Sequence, residues 1–287
     1  MMDGLLDWGT LTRQDIARLA DVGALVLVPT GAIEQHGDHL GVDTDTRLAT
    51  TVTQLAAARV KTVPVTVAPP VAFGFSPHHA AWPGTITLRL ETYLALLRDV
   101  AHSIIGAGFP RVLFVNGHGG NEAPLRSLVT QMVTDGHAVG MVNYFSPSAA
   151  DWTAMLKGDL PRAGHACEQE TALTLALPQT DDADRARILA AIAGLPPRLV
   201  QPWMAEDATF DPITAAGAGW PPIFQEKDCG YYGDPAAADE ENGVRMLDVT
   251  VAKLAAFFED FARADLRVGS YRGSAAPVGL AAPASRR

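Results

Sequence analysis

Short apolar runs alternate along the chain with longer segments whose apolar residues recur every three or four positions. Ala24 to Pro29 is the first uninterrupted apolar run and predicts a buried strand. Thr46 to Val60 predicts a helix, with Leu48, Val52 and Leu55 spaced for one face. Thr62 to Val67 is β-branched and predicts a second strand. Glu91 to Ile105 predicts a helix through Leu94, Leu97 and Ala101. Arg111 to Val115 predicts a strand stopped by Asn116-Gly117, Glu122 to Thr134 a helix, and Ala138 to Tyr144 a strand. Strand and helix in alternation predict a mostly parallel sheet with helices on its faces.

After Ser146 the rhythm changes. Glu168 to Ala176 predicts a helix, and Ala236 to Ala264 a long amphipathic one. Between them, residues 195–235 are rich in proline, glycine and aromatics (Trp203, Phe210, Trp220, Phe224, Tyr231, Tyr232) without periodicity. Such a stretch is expected to be a lid or an interface insertion. Residues 1–272 are expected to form one domain. The Ala/Pro/Ser-rich tail, 273–287, is expected to be disordered.

Composition narrows the function classes. The formal net charge is −10 and no Lys/Arg run exists, which argues against a nucleic-acid partner. No apolar run approaches the ~20 residues of a membrane helix, and the first residues lack a signal-peptide pattern. Two cysteines, Cys167 and Cys229, are too few for a disulfide framework. A reduced, cytoplasmic protein acting on a small molecule is expected.

The chemistry concentrates in three stretches. Glu34-Gln35-His36 is followed by Asp43 and Asp45. Asn116 to Asn121 carries His118 among glycines. His165 to Glu170 carries Cys167 and Glu168. Four of the eight histidines lie in these stretches, His36 and His39 within 34–45, His118 in the second and His165 in the third. In extended backbone Glu34 and His36, two apart, point the same way. Both follow one predicted strand as His118 follows another, and ligand sites of open α/β sheets lie at that edge. Mixed carboxylates and imidazoles suit zinc, manganese or iron. Gly117, Gly119 and Gly120 would permit positive φ or close approach, and Asn121 is a candidate N-cap. The spacing fits neither a phosphate-binding loop nor a dinucleotide fingerprint. The competing reading of each residue is ordinary: a corner histidine, or an acid starting a helix.

Five motifs in order sharpen the choice: Glu34-Gln35-His36-Gly37-x-His39-Leu40 with Asp45, Trp82 to Leu88, Asn116 to Asn121, Gly164-His165-Ala166-x-Glu168-x-Glu170-Thr171, and Gly233-Asp234-Pro235. Together they resemble the creatininase family of amidohydrolases. That resemblance implies a three-layer α/β/α fold, two divalent ions per chain (zinc first, manganese or iron otherwise) and a homohexamer built as a trimer of dimers. It implies Glu34 and His118 as ligands of one ion, His36 of the other, and Asp45 as the bridge. In creatinine-hydrolysing members a carboxylate stands where this chain has Gly120. Glu168 is expected to supply the second ion's missing oxygen, with Glu122 a helix-start acid. His165 matches the catalytic histidine, with Glu170 beside it to orient its ring, and Cys167 is expected to be a small buried side chain.

The implied reaction is attack of a hydroxide shared by two ions on an amide carbonyl, followed by proton donation from His165 to the leaving nitrogen. Substrate contacts are expected from Ser76, His78, Gly119 and Trp203. Gly164 and Gly119 stand where creatinine hydrolases carry aromatics, so a different small cyclic amide, imide or formamide is expected. A lactone hydrolase or a mycofactocin-type peptidase is the alternative within the family, and a non-catalytic metal-binding protein the alternative outside it.

Overall fold

A computed structural model describes residues 7–160, 164–198 and 229–269, with the backbone of 277–278. Trp203, with the rest of 199–228, and most of the tail lie outside the described residues. Four strands, β1 (Leu25–Thr30), β2 (Val65–Val67), β3 (Arg111–Asn116) and β4 (Val139–Asn143), form one parallel sheet in the order β2-β1-β3-β4. Leu25 pairs in register with both Val65 and Arg111, and Thr30 with Asn116.

Eight α-helices accompany the sheet among the described residues: α1 (Arg13–Asp21), α2 (Thr44–Arg59), α3 (Leu90–Gly106), α4 (Glu122–Thr134), α5 (Ala149–Thr153), α6 (Glu168–Ala176), α7 (Asp182–Ile192) and α8 (Glu240–Arg263). The alternating side chains of each strand divide between two cores. Leu25, Leu27, Leu113 and Val115 pack with α2, α6 and α8. Val26, Val28, Val112 and Phe114 pack with α1, α3 and α4. The result is the expected three-layer α/β/α arrangement, and it explains why the strands are apolar throughout rather than alternating. Among the described residues no helix is long and apolar enough to cross a membrane.

Several local expectations shift. Helix α2 begins at Thr44, so Asp45 sits in its first turn rather than in the preceding loop. Helices α1 and α7 were not predicted, although both carry local start signals. Thr12 and Asp15 form a reciprocal capping box, and the Asp181 side chain accepts from the Asp184 amide. Asn121 does not cap α4. Its side chain instead donates to the Gly31 carbonyl (2.9 Å) and accepts from the Phe75 amide (2.9 Å). In the tail, Pro277–Val278 pairs antiparallel with Leu266–Arg267.

The connections leaving neighbouring β1 and β3 run in opposite directions, from β1 through α2 on one face to β2 and from β3 through α4 on the other to β4. That reversal creates the crevice at the carboxyl ends of strands where α/β proteins hold ligands.

Candidate metal centre

The crevice is lined by polar ends of the strands. Thr30, Asn116 and Asn143 are buried. Asn116 Nδ2 donates to the His118 carbonyl (2.6 Å) and to Asn143 Oδ1 (2.9 Å). This network fixes the corner from which His118 turns inward. Gly117 is needed there for close approach, since a Cβ would stand 2.6 Å from the Asp45 carbonyl. Gly120 is equally constrained: its Cβ would lie 2.5 Å from His118 Nε2 and from the Phe75 carbonyl. Neither Gly117, Gly119 nor Gly120 has positive φ, so contact rather than backbone conformation requires glycine at 117 and 120. A Cβ on Gly119 would meet nothing.

Five groups converge at the crevice: Glu34 and His36 after β1, Asp45 from α2, His118 after β3, and Glu170 from α6. The two oxygens of Asp45 face different histidines. Oδ1 is 3.2 Å from His36 Nε2, and Oδ2 is 3.0 Å from His118 Nδ1. Glu34 Oε1 lies 3.3 Å from the same His118 nitrogen and 3.5 Å from His165 Nδ1 and His79 Nε2. Among the described residues, potential ligand atoms fall into three groups, each within 4.8 Å: Glu34, His78 and His118; Glu34, His36 and His165; His36, Asp45 and Glu170.

Other predicted residues take different places. Glu168 is not gathered with these groups. Its two carboxylate oxygens accept the backbone amides of Lys157 (2.7 Å) and Gly158 (3.0 Å), which commits it to the 157–158 turn. Glu170, expected to orient His165, groups instead with His36 and Asp45. At the first turn of α6, residues 168 and 170 point about 200° apart, so only one of them can face the crevice. Ser76 is fully buried and its hydroxyl donates to Glu34 Oε2. It therefore stands behind the carboxylate, where a substrate contact was expected. His78 stacks on His118 with ring centroids 5.5 Å apart and planes 5° from parallel. Cys167 is buried and free, and burial pushes its thiol up to about 12. Asp43 ends as the residue before α2, with no capping bond.

Two residues outside the predicted site set also line the centre. His79 lies against Glu34, and its Nδ1 is 3.1 Å from Gln35 Nε2. Gln35 is fixed by accepting the Gly37 amide at Oε1 (2.8 Å) and places its carbonyl oxygen 2.6 Å from His165 Nε2. The Gln35 amide nitrogen also approaches His165 Nε2, at 3.1 Å, but the shorter contact is to a backbone carbonyl that only accepts, which favours the proton on Nε2 with Nδ1 facing the crevice. The signal for His79 was present in sequence: it precedes Trp82-Pro83-Gly84, beside the His78 that was chosen.

The electrostatics follow from crowding. Burial alone would lower the His36 pKa, but the charges of Asp45, Glu170 and Glu34 raise it to about 10. His118 is likewise raised well above its ordinary value, against burial, by Glu34 and Asp45. Glu34 is held well below the usual carboxylate range despite its burial, chiefly by His118. Burial pushes Glu170 up to about 7. His165 is depressed by burial and by the charges of His36 and His79.

The residues fit divalent metal ions. The donor set is carboxylate and imidazole, without thiolate. Buried Asp45 Oδ2 receives no well-aligned hydrogen bond, leaving an acceptor in the middle of the cluster for a cation.

A three-layer α/β/α protein with an acid–imidazole centre at its sheet edge is thereby defined, and comparison with known proteins places it. The chain matches the creatininase (creatinine amidohydrolase) family over residues 9–258 and belongs to that family of hydrolases. It is 33% identical over 236 residues to a mycofactocin precursor peptide peptidase of Mycobacterium ulcerans, covering 77% of this chain and 89% of that one. A creatinine amidohydrolase of Pseudomonas putida is 29% identical over 116 residues, 38% of this chain and 44% of that one. A creatininase structure with Mn superposes with a TM-score of 0.69 at 24% identity, covering 89% of this chain and 98% of that one. A mutant creatininase of Zn-Zn type superposes with a TM-score of 0.68 at 24% identity, covering 89% and 98%.

Proposed function

We propose that this chain hydrolyses an amide C–N bond at a centre of two divalent ions, most simply zinc. Glu34 and His118 would hold one ion, His36 and Glu170 the other, and Asp45 would bridge them. The observation that carries this reading is Asp45 itself, whose two oxygens face two different histidines. Glu170 replaces Glu168 in the ligand set because Glu168 is spent on backbone amides. Such a pair of ions supplies Lewis acidity and lowers the pKa of a water from ~15.7 toward neutrality.

The chain's own residues do the rest. Ser76 and His79 hold Glu34 in place. Gln35 holds His165 through Nε2, leaving Nδ1 aimed at the crevice. His165, kept neutral by its surroundings, takes a proton released at the centre on Nδ1 and passes it to the departing nitrogen.

The substrate is proposed to be a small cyclic amide, imide or formamide. A second reading, cleavage near the end of a short peptide, is favoured by the identity of 33–34% to two mycofactocin precursor peptide peptidases over about three quarters of this chain. The same reading carries a cytoplasmic homohexamer, which light scattering on the purified protein checks. The decisive screen offers cyclic amides, imides and formamides, lactones and short peptides to protein stripped with chelator and to protein reloaded with Zn²⁺ or Mn²⁺. Metal-dependent C–N cleavage is expected. Turnover indifferent to chelator, or lactones alone being opened, would refute the proposal.

A further inference from the structure

Among the described residues one non-glycine adopts positive φ: Ala166, at 48°. It is fully buried and lies between His165 and Cys167, at the corner entering α6. A left-handed conformation is disfavoured for any L side chain and persists only where the surroundings enforce it. Here the enforcement is visible. His165 exchanges two backbone hydrogen bonds with Tyr232 (3.0 and 2.8 Å), which pins the residue before the turn. The Ala166 carbonyl is then held by His39 Nε2 at 3.0 Å.

That bond fixes the state of His39. The carbonyl only accepts, so Nε2 carries the proton. Burial lowers the imidazole pKa to about 4 and keeps it neutral. Nδ1 is left bare, with no hydrogen-bond partner. The same Nε2 lies 3.3 Å from Thr171 Oγ1 on α6. His39 is itself anchored, since its carbonyl accepts from Arg187 Nη1 (3.1 Å) and its ring meets Tyr231 edge-on. It makes no hydrogen bond to the five gathered groups. A buried histidine with half its polar capacity unused, attached to the single strained residue beside His165, is costly for mere packing.

We propose that His39 is a positioning residue: its Nε2–H clamps the left-handed Ala166 peptide and thereby aims His165 at the centre. The role rests on the proton-transfer function proposed for His165. The clamp itself can be read without any substrate, because Cys167 is the next residue, is 1% exposed, and reacts only when the corner opens.

In a Cys229→Ser background, the rate at which a chromogenic aromatic disulfide modifies Cys167 is compared for the parent, His39→Phe, His39→Gln and His39→Phe/Ala166→Gly. The expected result is a rise of ~10-fold or more in His39→Phe, as the corner opens more often. Ala166→Gly should reverse it, because glycine needs no clamp to hold positive φ. His39→Gln, which keeps an N–H donor, should stay near the parent. On whichever substrate the screen identifies, His39→Phe should lower kcat by ~10- to 100-fold, with KM and metal content unchanged, and Ala166→Gly should recover most of it. Should His39→Phe not fold, His39→Asn, whose amide is too short to span the gap, is read in the same way. A double variant no better than His39→Phe overturns the proposal, as does an unchanged thiol rate. If the thiol pattern holds while His165→Ala remains active, the clamp stands and the catalytic reading of His165 fails.

Discussion

Glu168→Gln and Glu170→Gln should fail in different ways, although the two residues share one turn of α6. Both oxygens of Glu168 accept backbone amides, from Lys157 and Gly158. Glutamine offers one acceptor and sets an NH₂ against the other amide. Leaving one buried donor unpaired costs ~1–3 kcal/mol. For a chain of this size each kcal/mol lowers Tm by ~2–4 °C, so a drop of ~2–12 °C is expected with both metals retained. Glu170 stands with His36 and Asp45 inside a 4.8 Å envelope. Two unit charges ~4 Å apart at an effective dielectric of ~20 interact by ~4 kcal/mol. An ion losing that partner, even with most of the effect recovered by relaxation, should bind at least ~100-fold more weakly, at ~1.4 kcal/mol per tenfold. The assay is elemental analysis after dialysis against a competing chelator, with thermal melts of the same samples. A Glu170→Gln protein that keeps two tightly held ions, or a Glu168→Gln protein that loses one, would refute the assignment.

Three further outcomes are expected. His165→Ala should keep both ions and lose most turnover; loss of an ion instead would make His165 a ligand, as its proximity to Glu34 and His36 permits. Ion loading should release about two to three protons per chain near pH 7. His36 (about 10) and His118 (well above its ordinary value) must shed protons that the metal-free centre holds, and Glu170 (about 7) sheds a fraction. Apparent affinity therefore weakens as pH falls, and calorimetry in two buffers of different ionisation enthalpy measures the count; release near zero would sink this account. Gly119→Ala should leave folding and metal content unchanged, whereas Gly120→Ala should disturb His118, since its Cβ would press on Nε2 at 2.5 Å; equal metal content in both variants would contradict the packing.

Much of this was legible in the chain because it depends on local pattern. The strands were found since each is apolar on both faces, and the two separate cores confirm why. Glu34, His36 and His118 were found because each follows a strand directly, so topology alone brings them to one edge. The misses share a physical character. Choosing between Glu168 and Glu170 required the rotation of α6 and the position of the 157–158 turn, which comes from a segment distant in sequence. Ser76 looked like a substrate contact because nothing in the sequence shows that Glu34 lies beneath it. The Ala166 conformation is invisible in sequence, where a short Ala-Cys pair reads as an unremarkable helix lead-in.

The charge around Asp45 gives these assignments a common cause. Glu34, Asp45 and Glu170 bring three carboxylates into a space largely closed to water, and an unbalanced buried charge costs several kcal/mol. In the metal-free centre protons on His36 and His118 offset two of them, and the third is expressed as the raised pKa of Glu170, about 7. Two divalent ions would replace those protons with four positive charges. Three carboxylates then leave one positive charge unbalanced, which favours an anion at the point His165 Nδ1 faces. A single divalent ion would leave the cluster one negative charge in excess and Glu170 still prone to protonation. The residues that crowd this edge of the sheet are therefore better matched to two ions than to one, and Glu170 is the residue whose ionisation should report the second ion's arrival.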